Sequence, residues 1–113
     1  MVSKSANYCN ANRGSNIACM LLCEVALGEM NELKQADYYA SNLPDGKLST
    51  KGLGSNFPDP AQSLTLDNGT VVPLGKEKSQ TIAGGSLLYN EFIVYDVSQI
   101  KIKYLVKMKF IYE

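Results

Sequence analysis

From Lys101 to Tyr112 the side chains alternate: Ile102, Tyr104, Val106, Met108, Phe110 and Tyr112 fall on one face, Lys101, Lys103, Lys107 and Lys109 on the other. A period of two belongs to a β-strand, whose successive side chains point to opposite sides. The segment predicts a sheet strand with one apolar face. The lysine row reads as a solvated face that discourages edge-to-edge association, with a phosphate- or polymer-binding role as the competing reading.

A second strand is predicted over residues 87–96, Leu-Leu-Tyr-Asn-Glu-Phe-Ile-Val-Tyr-Asp, and it carries one carboxylate in apolar and aromatic surroundings. Alternation puts Glu91 with Leu87, Tyr89, Ile93 and Tyr95, and puts Leu88, Asn90, Phe92 and Val94 on the reverse face. A carboxylate held there needs water, a cation or a use, because burying it unpaired is costly. The plain structural reading is a strand end or bulge where Glu91 meets solvent or a lysine.

Between these landmarks the elements are shorter. Residues 3–11 read as a helix with Ser3 as N-cap, ended by Gly14 and Ser15, and the three-four spacing puts Lys4, Ser5 and Tyr8 on one face. The apolar run 17–27, closed by Gly28, suits a central strand covered on both faces, with a buried helix as the alternative. Residues 30–33 add a short strand, and 35–69 read as loop-rich, with Pro44, Gly46, Gly52, Gly54, Pro58 and Pro60. Within the sequence Lys51-Gly52-Leu53-Gly54 the glycines suggest a structural loop rather than a phosphate cradle, because no strand-loop-helix context surrounds them. Asn68-Gly69, flanked by Leu64-Thr65-Leu66 and Thr70-Val71-Val72, predicts a hairpin turn rather than a glycosylation site. Residues 76–86 are polar and end in Gly84-Gly85-Ser86, a flexible approach to the Glu91 strand.

The whole reads as one small domain at most. With 11 basic and 11 acidic residues among 113, there is no net field to recruit nucleic acid or an anionic membrane. No run reaches the ~18 apolar residues of a membrane span. Cys9, Cys19 and Cys23 lack metal-ligand spacing and there is no histidine to join them, so no metal is expected and a reducing compartment fits.

Several short motifs occur in a fixed order: Ser3-Lys4-Ser5-Ala6-Asn7-Tyr8-Cys9, Glu24-Val25-Ala26-Leu27-Gly28, Lys51-Gly52-Leu53-Gly54 with Pro58-Asp59-Pro60, Val72-Pro73-Leu74-Gly75, Leu88 to Tyr95, and Lys103-Tyr104-Leu105-Val106-Lys107. This set resembles the poly(ADP-ribose) polymerase catalytic domain, most closely its DNA-damage-activated nuclear branch, with Phe92 where a tyrosine is common and Cys23 where a small residue is common. The resemblance implies an α+β fold: the carboxy-terminal half of a split antiparallel β-sheet ADP-ribosyltransferase domain with a short amino-terminal helix. It implies that 1–113 is a partial domain whose amino-terminal half, bearing the family's pocket histidine and tyrosine, is missing. Exposed apolar surface and poor solubility would follow.

The resemblance also implies an NAD+ ADP-ribosyltransferase acting on proteins and growing poly(ADP-ribose), with NAD+ as substrate and nicotinamide released. Glu91 takes the family's catalytic glutamate position. Ser5 and Tyr8 take the positions that hold the carboxamide and stack on the nicotinamide ring. Lys4, on the same helix face, is expected to keep Glu91 ionised, with a plain surface lysine as the alternative. Tyr89 and Asn90 are expected to shape the acceptor side. Location is expected to be nuclear, or cytosolic if the chain is truncated, with no direct nucleic-acid or membrane contact. The fragment alone is expected to be inactive; the alternative is a non-catalytic interaction module keeping part of the nicotinamide pocket.

Overall fold

The computed structural model covers residues 1–113 and is built of ten strands and one short helix. The helix, α1, is Val2–Ala6; the strands are β1 (Ile17–Val25), β2 (Met30–Leu33), β3 (Ser49–Gly52), β4 (Gly54–Pro58), β5 (Leu64–Thr65), β6 (Val71–Val72), β7 (Glu77–Ser79), β8 (Leu87–Tyr89), β9 (Glu91–Ile93) and β10 (Ile100–Lys109). Four small sheets result: β1-β10, β2-β3-β9, β7-β4-β8 and β5-β6. Antiparallel pairs dominate, and β2-β3 and β4-β8 are parallel.

The alternating segment forms β10 as expected, paired antiparallel with β1 from Ile17↔Lys109 to Val25↔Ile100, with one irregularity at Leu22/Cys23. Directly opposed residues share a face, so Ala18, Met20 and Leu22 join Met108, Val106 and Tyr104 in one apolar surface. That surface is open: Leu22, Tyr104 and Val106 are all exposed. The run 17–27 is therefore a strand, but not a doubly covered one, since β1 has β10 as its sole partner.

Apolar burial is nearly absent. The five buried residues are Ser49, Thr50, Gly52, Gly54 and Asp59, and none has a large apolar side chain. The accessible surface is 8494 Å², against about 6,100 Å² for a compact monomer of this mass. The radius of gyration is 15.4 Å, against about 13 Å for a compact chain of this length.

Four of the buried residues lie in β3 and β4 and Asp59 directly follows β4, all inside the region read as loop. The sequences of the two strands, Ser-Thr-Lys-Gly and Gly-Ser-Asn-Phe-Pro, lack apolar alternation, and flanking strands rather than an apolar face of their own bury them. β3 lies between β2 and β9, and β4 between β7 and β8. Ser49 Oγ donates to the Leu27 carbonyl at 2.7 Å, and the Thr50 and Tyr95 hydroxyls lie 2.7 Å apart. Gln99 Nε2 donates to the carbonyls of Ala26 and Leu48, tying the β1-β10 ribbon to β3.

Asp59 holds the far end of β4. Its carboxylate accepts from Ala61 N–H at 3.0 Å and pairs with Lys78 of β7 at 3.0 Å. The hydrogen bond from Lys78, followed by that from Ala61, holds the Asp59 carboxyl below the ordinary carboxylate range. β7 also means that the approach 76–86 is only partly free of regular structure. The Asn68-Gly69 hairpin is present as β5-β6, with Gly69 at φ 84 and its N–H donating to the Leu66 carbonyl at 2.9 Å. That left-handed conformation is what glycine supplies in such turns.

Candidate functional site

The segment 87–96 is not one strand. β8 runs parallel to β4, with Gly54↔Leu87 and Asn56↔Tyr89, whereas β9 runs antiparallel to β3, with Gly52↔Glu91, Lys51↔Phe92 and Thr50↔Ile93. The chain thus changes partner and sense at Asn90. Two glycines permit the crossing. A Cβ on Gly54 would overlap the backbone of Tyr89 and Asn90, and one on Gly52 would meet the Leu87 side chain at 2.5 Å and Glu91 Cβ at 3.5 Å. Lys51-Gly52-Leu53-Gly54 is thereby a structural crossing, consistent with the reading against a phosphate cradle.

α1 packs beside this crossing. It is shorter than the 3–11 expected from the sequence, its N-cap is Met1 rather than Ser3, and no side chain caps it. None of its residues is buried, so no tertiary face extends it. Three-residue turns continue past its end, with Asn7, Tyr8 and Cys9 N–H donating to Lys4, Ser5 and Ala6 carbonyls. Asn10 then enters the left-handed region at φ 53.

α1, the turn after it and the start of β9 enclose a cleft of about 320 Å³ lined by Met1, Lys4, Ser5, Tyr8, Asn90, Glu91 and Phe92. Lys4 Nζ lies 3.7 Å from Glu91 Oε1, with the lysine side chain 26% and the glutamate side chain 36% exposed. An ion pair this open contributes about 0–1 kcal/mol to stability. Coulomb attraction between the same charges rises several-fold once water is displaced, from about 1 kcal/mol in water to about 4 kcal/mol near a protein surface at 4 Å. Tyr8 is 73% exposed in the cleft lining, and an exposed aromatic side chain of this kind can stack on a planar ligand.

Lys4, Ser5, Tyr8, Asn90 and Glu91 are thus brought together, and Tyr89 is not: it pairs across β4 with Asn56, outside the cleft lining. The Asn90 side chain is only half available, because its Oδ1 accepts the Gly54 N–H at 2.9 Å. Phe92 also lines the cleft, although β9 runs unbroken from Glu91 to Ile93, so the interruption at Asn90 leaves Phe92 and Glu91 on opposite faces of that strand. Cys9, Cys19 and Cys23 are free thiols.

An acid-base pair beside an exposed aromatic ring and a hydroxyl suits a substrate with a planar amide and a nearby hydroxyl, at which a carboxylate can stabilise developing positive charge. Residues 1–110 match the family described as the poly(ADP-ribose) polymerase catalytic domain. The chain is 58% identical over 113 residues to poly [ADP-ribose] polymerase 2 of Arabidopsis thaliana, covering 100% of this chain and 18% of that protein. It is 59% identical over 110 residues to poly [ADP-ribose] polymerase 2-A of Oryza sativa subsp. japonica, covering 97% of this chain and 17% of the relative. With poly [ADP-ribose] polymerase 1 of Xenopus laevis it shares 58% identity over 113 residues, covering 100% of this chain and 11% of the relative. The chain therefore spans less than a fifth of the length of these relatives, and it belongs to the poly(ADP-ribose) polymerase catalytic domain family.

Proposed function

We propose that this chain supplies one wall of an NAD+ ADP-ribosyltransferase site, which transfers ADP-ribose to protein acceptors and to growing poly(ADP-ribose). The observation that carries the reading is the convergence of Lys4, Ser5, Tyr8 and Glu91 on one cleft. Tyr8 stacks on the nicotinamide ring and the Ser5 hydroxyl bonds its carboxamide. Glu91 accepts a hydrogen bond from the 2′-hydroxyl of the adjoining ribose.

As the bond between C1′ and the nicotinamide nitrogen breaks, the electron pair leaves with neutral nicotinamide and positive charge spreads over C1′ and the ring oxygen. The Glu91 carboxylate stabilises that charge, as carboxylates do in glycoside cleavage. The acceptor oxygen then bonds to C1′, and during elongation the acceptor hydroxyl proton passes to Glu91 acting as general base. Lys4 stays paired with Glu91 as bound substrate displaces water.

Residues 1–113 form the carboxy-terminal part of the catalytic domain, and the open apolar faces of β1 and β10 pack against its remainder. The accessible surface of 8494 Å² exceeds that of a compact monomer of this mass by roughly 2,400 Å², which supports a chain whose apolar faces are covered by further structure. The proposed setting is nuclear, by analogy with the DNA-damage-activated branch. A second reading, an interaction module that keeps part of the nicotinamide pocket without turnover, is supported by the open cleft and the 73% exposure of Tyr8.

Nicotinamide release from NAD+ separates the two. The 113-residue chain is assayed alone and then within the Arabidopsis relative, replacing its own matching segment. Release by this chimaera but not by the isolated chain supports a transferase wall. A chimaera that binds NAD+ without releasing nicotinamide supports the interaction module.

A further inference from the structure

We propose that Asn90 is the positioning residue for Glu91, acting through the hydrogen bond from Gly54 N–H to its side-chain oxygen and not through contact with the acceptor. The inference rests on the transfer role given to Glu91 above. Its geometry is independent of that role. At Asn90 the chain leaves a parallel pairing with β4 and enters an antiparallel pairing with β3. Such a reversal interrupts the ladder and leaves backbone donors needing partners.

Gly54 N–H is one of them, and Asn90 Oδ1 accepts it at 2.9 Å. The facing atom must be the amide oxygen, because the backbone partner is a donor. The bond joins the residue before Glu91 to the strand crossing beneath it, with Gly52 and Gly54 stripped of side chains on the touching surface. The position of Glu91 in the cleft follows from this junction. Were the clamp released, the β8-β9 bend would relax and the carboxylate would move relative to Lys4, Ser5 and Tyr8, which sit on α1 and its following turn. A displacement of about 1 Å at a reacting group costs on the order of 100-fold in rate.

The test uses the chimaera of the Arabidopsis relative. Asn90→Ala removes the acceptor, whereas Asn90→Asp keeps an oxygen facing Gly54 N–H and removes the amide donor. Asn90→Ala is expected to lower kcat for nicotinamide release by about 10- to 100-fold with KM for NAD+ within about twofold. An unchanged kcat in Asn90→Ala overturns the proposal. Asn90→Asp adds a negative charge beside Glu91, so it is read by exchange at Gly54 and not by kcat. If Asn90→Ala does not fold, Gly54 exchange in Asn90→Asp decides.

Amide exchange at Gly54 in the chimaera reads the clamp without turnover. Protection is expected in the parent and in Asn90→Asp, with exchange about tenfold faster in Asn90→Ala. An unprotected Gly54 in the parent removes the clamp and the proposal with it. A chimaera that releases no nicotinamide while Gly54 stays protected faults the transfer reading, and an unprotected Gly54 faults this one.

Discussion

Gly54→Ala is the substitution with the best-defined structural cost. A Cβ at this position runs into the backbone of Tyr89 and Asn90, which cannot rotate aside as a side-chain tip would. Overpacking of this kind costs about 1–3 kcal/mol, and the rigid partner places Gly54 at the upper end. Separating the strands also breaks the Gly54-to-Asn90 bond and the weaker 3.3 Å contact from Gln80 Nε2 to the Gly54 carbonyl. Leaving the Gly54 N–H unpartnered adds about 1–3 kcal/mol. The alanine returns about 0.5–1 kcal/mol through lower unfolded-chain entropy, so the net expectation is roughly 3–5 kcal/mol.

Gly46→Ala is the internal control. Nothing lies within 4 Å of its added Cβ, and its only penalty is the left-handed backbone at φ 78, worth about 1–2 kcal/mol. With roughly 4 °C per kcal/mol for a chain of this size, thermal unfolding of the 113-residue protein should fall by about 4–8 °C for Gly46→Ala. Gly54→Ala should lower it by at least about 12 °C or abolish the cooperative transition. Equal shifts in the two variants, or a Gly54→Ala midpoint within about 4 °C of the parent, would refute the close crossing of β4 and β8.

Two further outcomes follow from the buried polar groups. Because Lys78 and Ala61 lower the folded-state pKa of Asp59 below its unfolded value, that carboxylate stabilises the fold above about pH 4 and the contribution is lost as pH falls through the lower folded value. The urea midpoint should therefore drop on acidification from pH 5, less steeply in Asp59→Asn, and parallel profiles would exclude the Lys78 contact as the cause. Thr50→Val removes the 2.7 Å hydroxyl contact with Tyr95 and is expected to cost about 1–2 kcal/mol in urea unfolding, whereas a neutral result would show that Tyr95 is satisfied elsewhere.

The elements visible in the sequence are those whose own residues declare them. β10 declares itself by alternation from Lys101 onward, and the β5-β6 hairpin by Asn68-Gly69 between β-branched and aliphatic residues. β3 and β4 do not, because Ser49, Thr50, Gly52 and Gly54 are buried between flanking strands without an apolar face of their own. The same tertiary crossing interrupts 87–96 at Asn90, which a one-strand reading had no local signal to expect. The interruption separates Tyr89, opposite Asn56 of β4, from Glu91, opposite Gly52 of β3. α1 ends at Ala6 because propensity over 7–11 is not supported by any buried face.

The candidate site was legible as residue types in order, since Lys4, Ser5, Tyr8 and Glu91 stand in motifs that the family shares. Their convergence was not, because α1 and β9 are more than 80 residues apart and are brought together by the β3-β4 crossing.

The most direct test of the account is Glu91→Gln in the chimaera, followed by polymer synthesis and by NAD+ binding in parallel. The exchange keeps shape and a hydrogen-bonding oxygen but removes the charge proposed to stabilise the transition state and the base proposed to take the acceptor proton. The account predicts loss of elongation with NAD+ affinity largely intact. Unchanged polymer synthesis would contradict it and remove Glu91 from the chemistry.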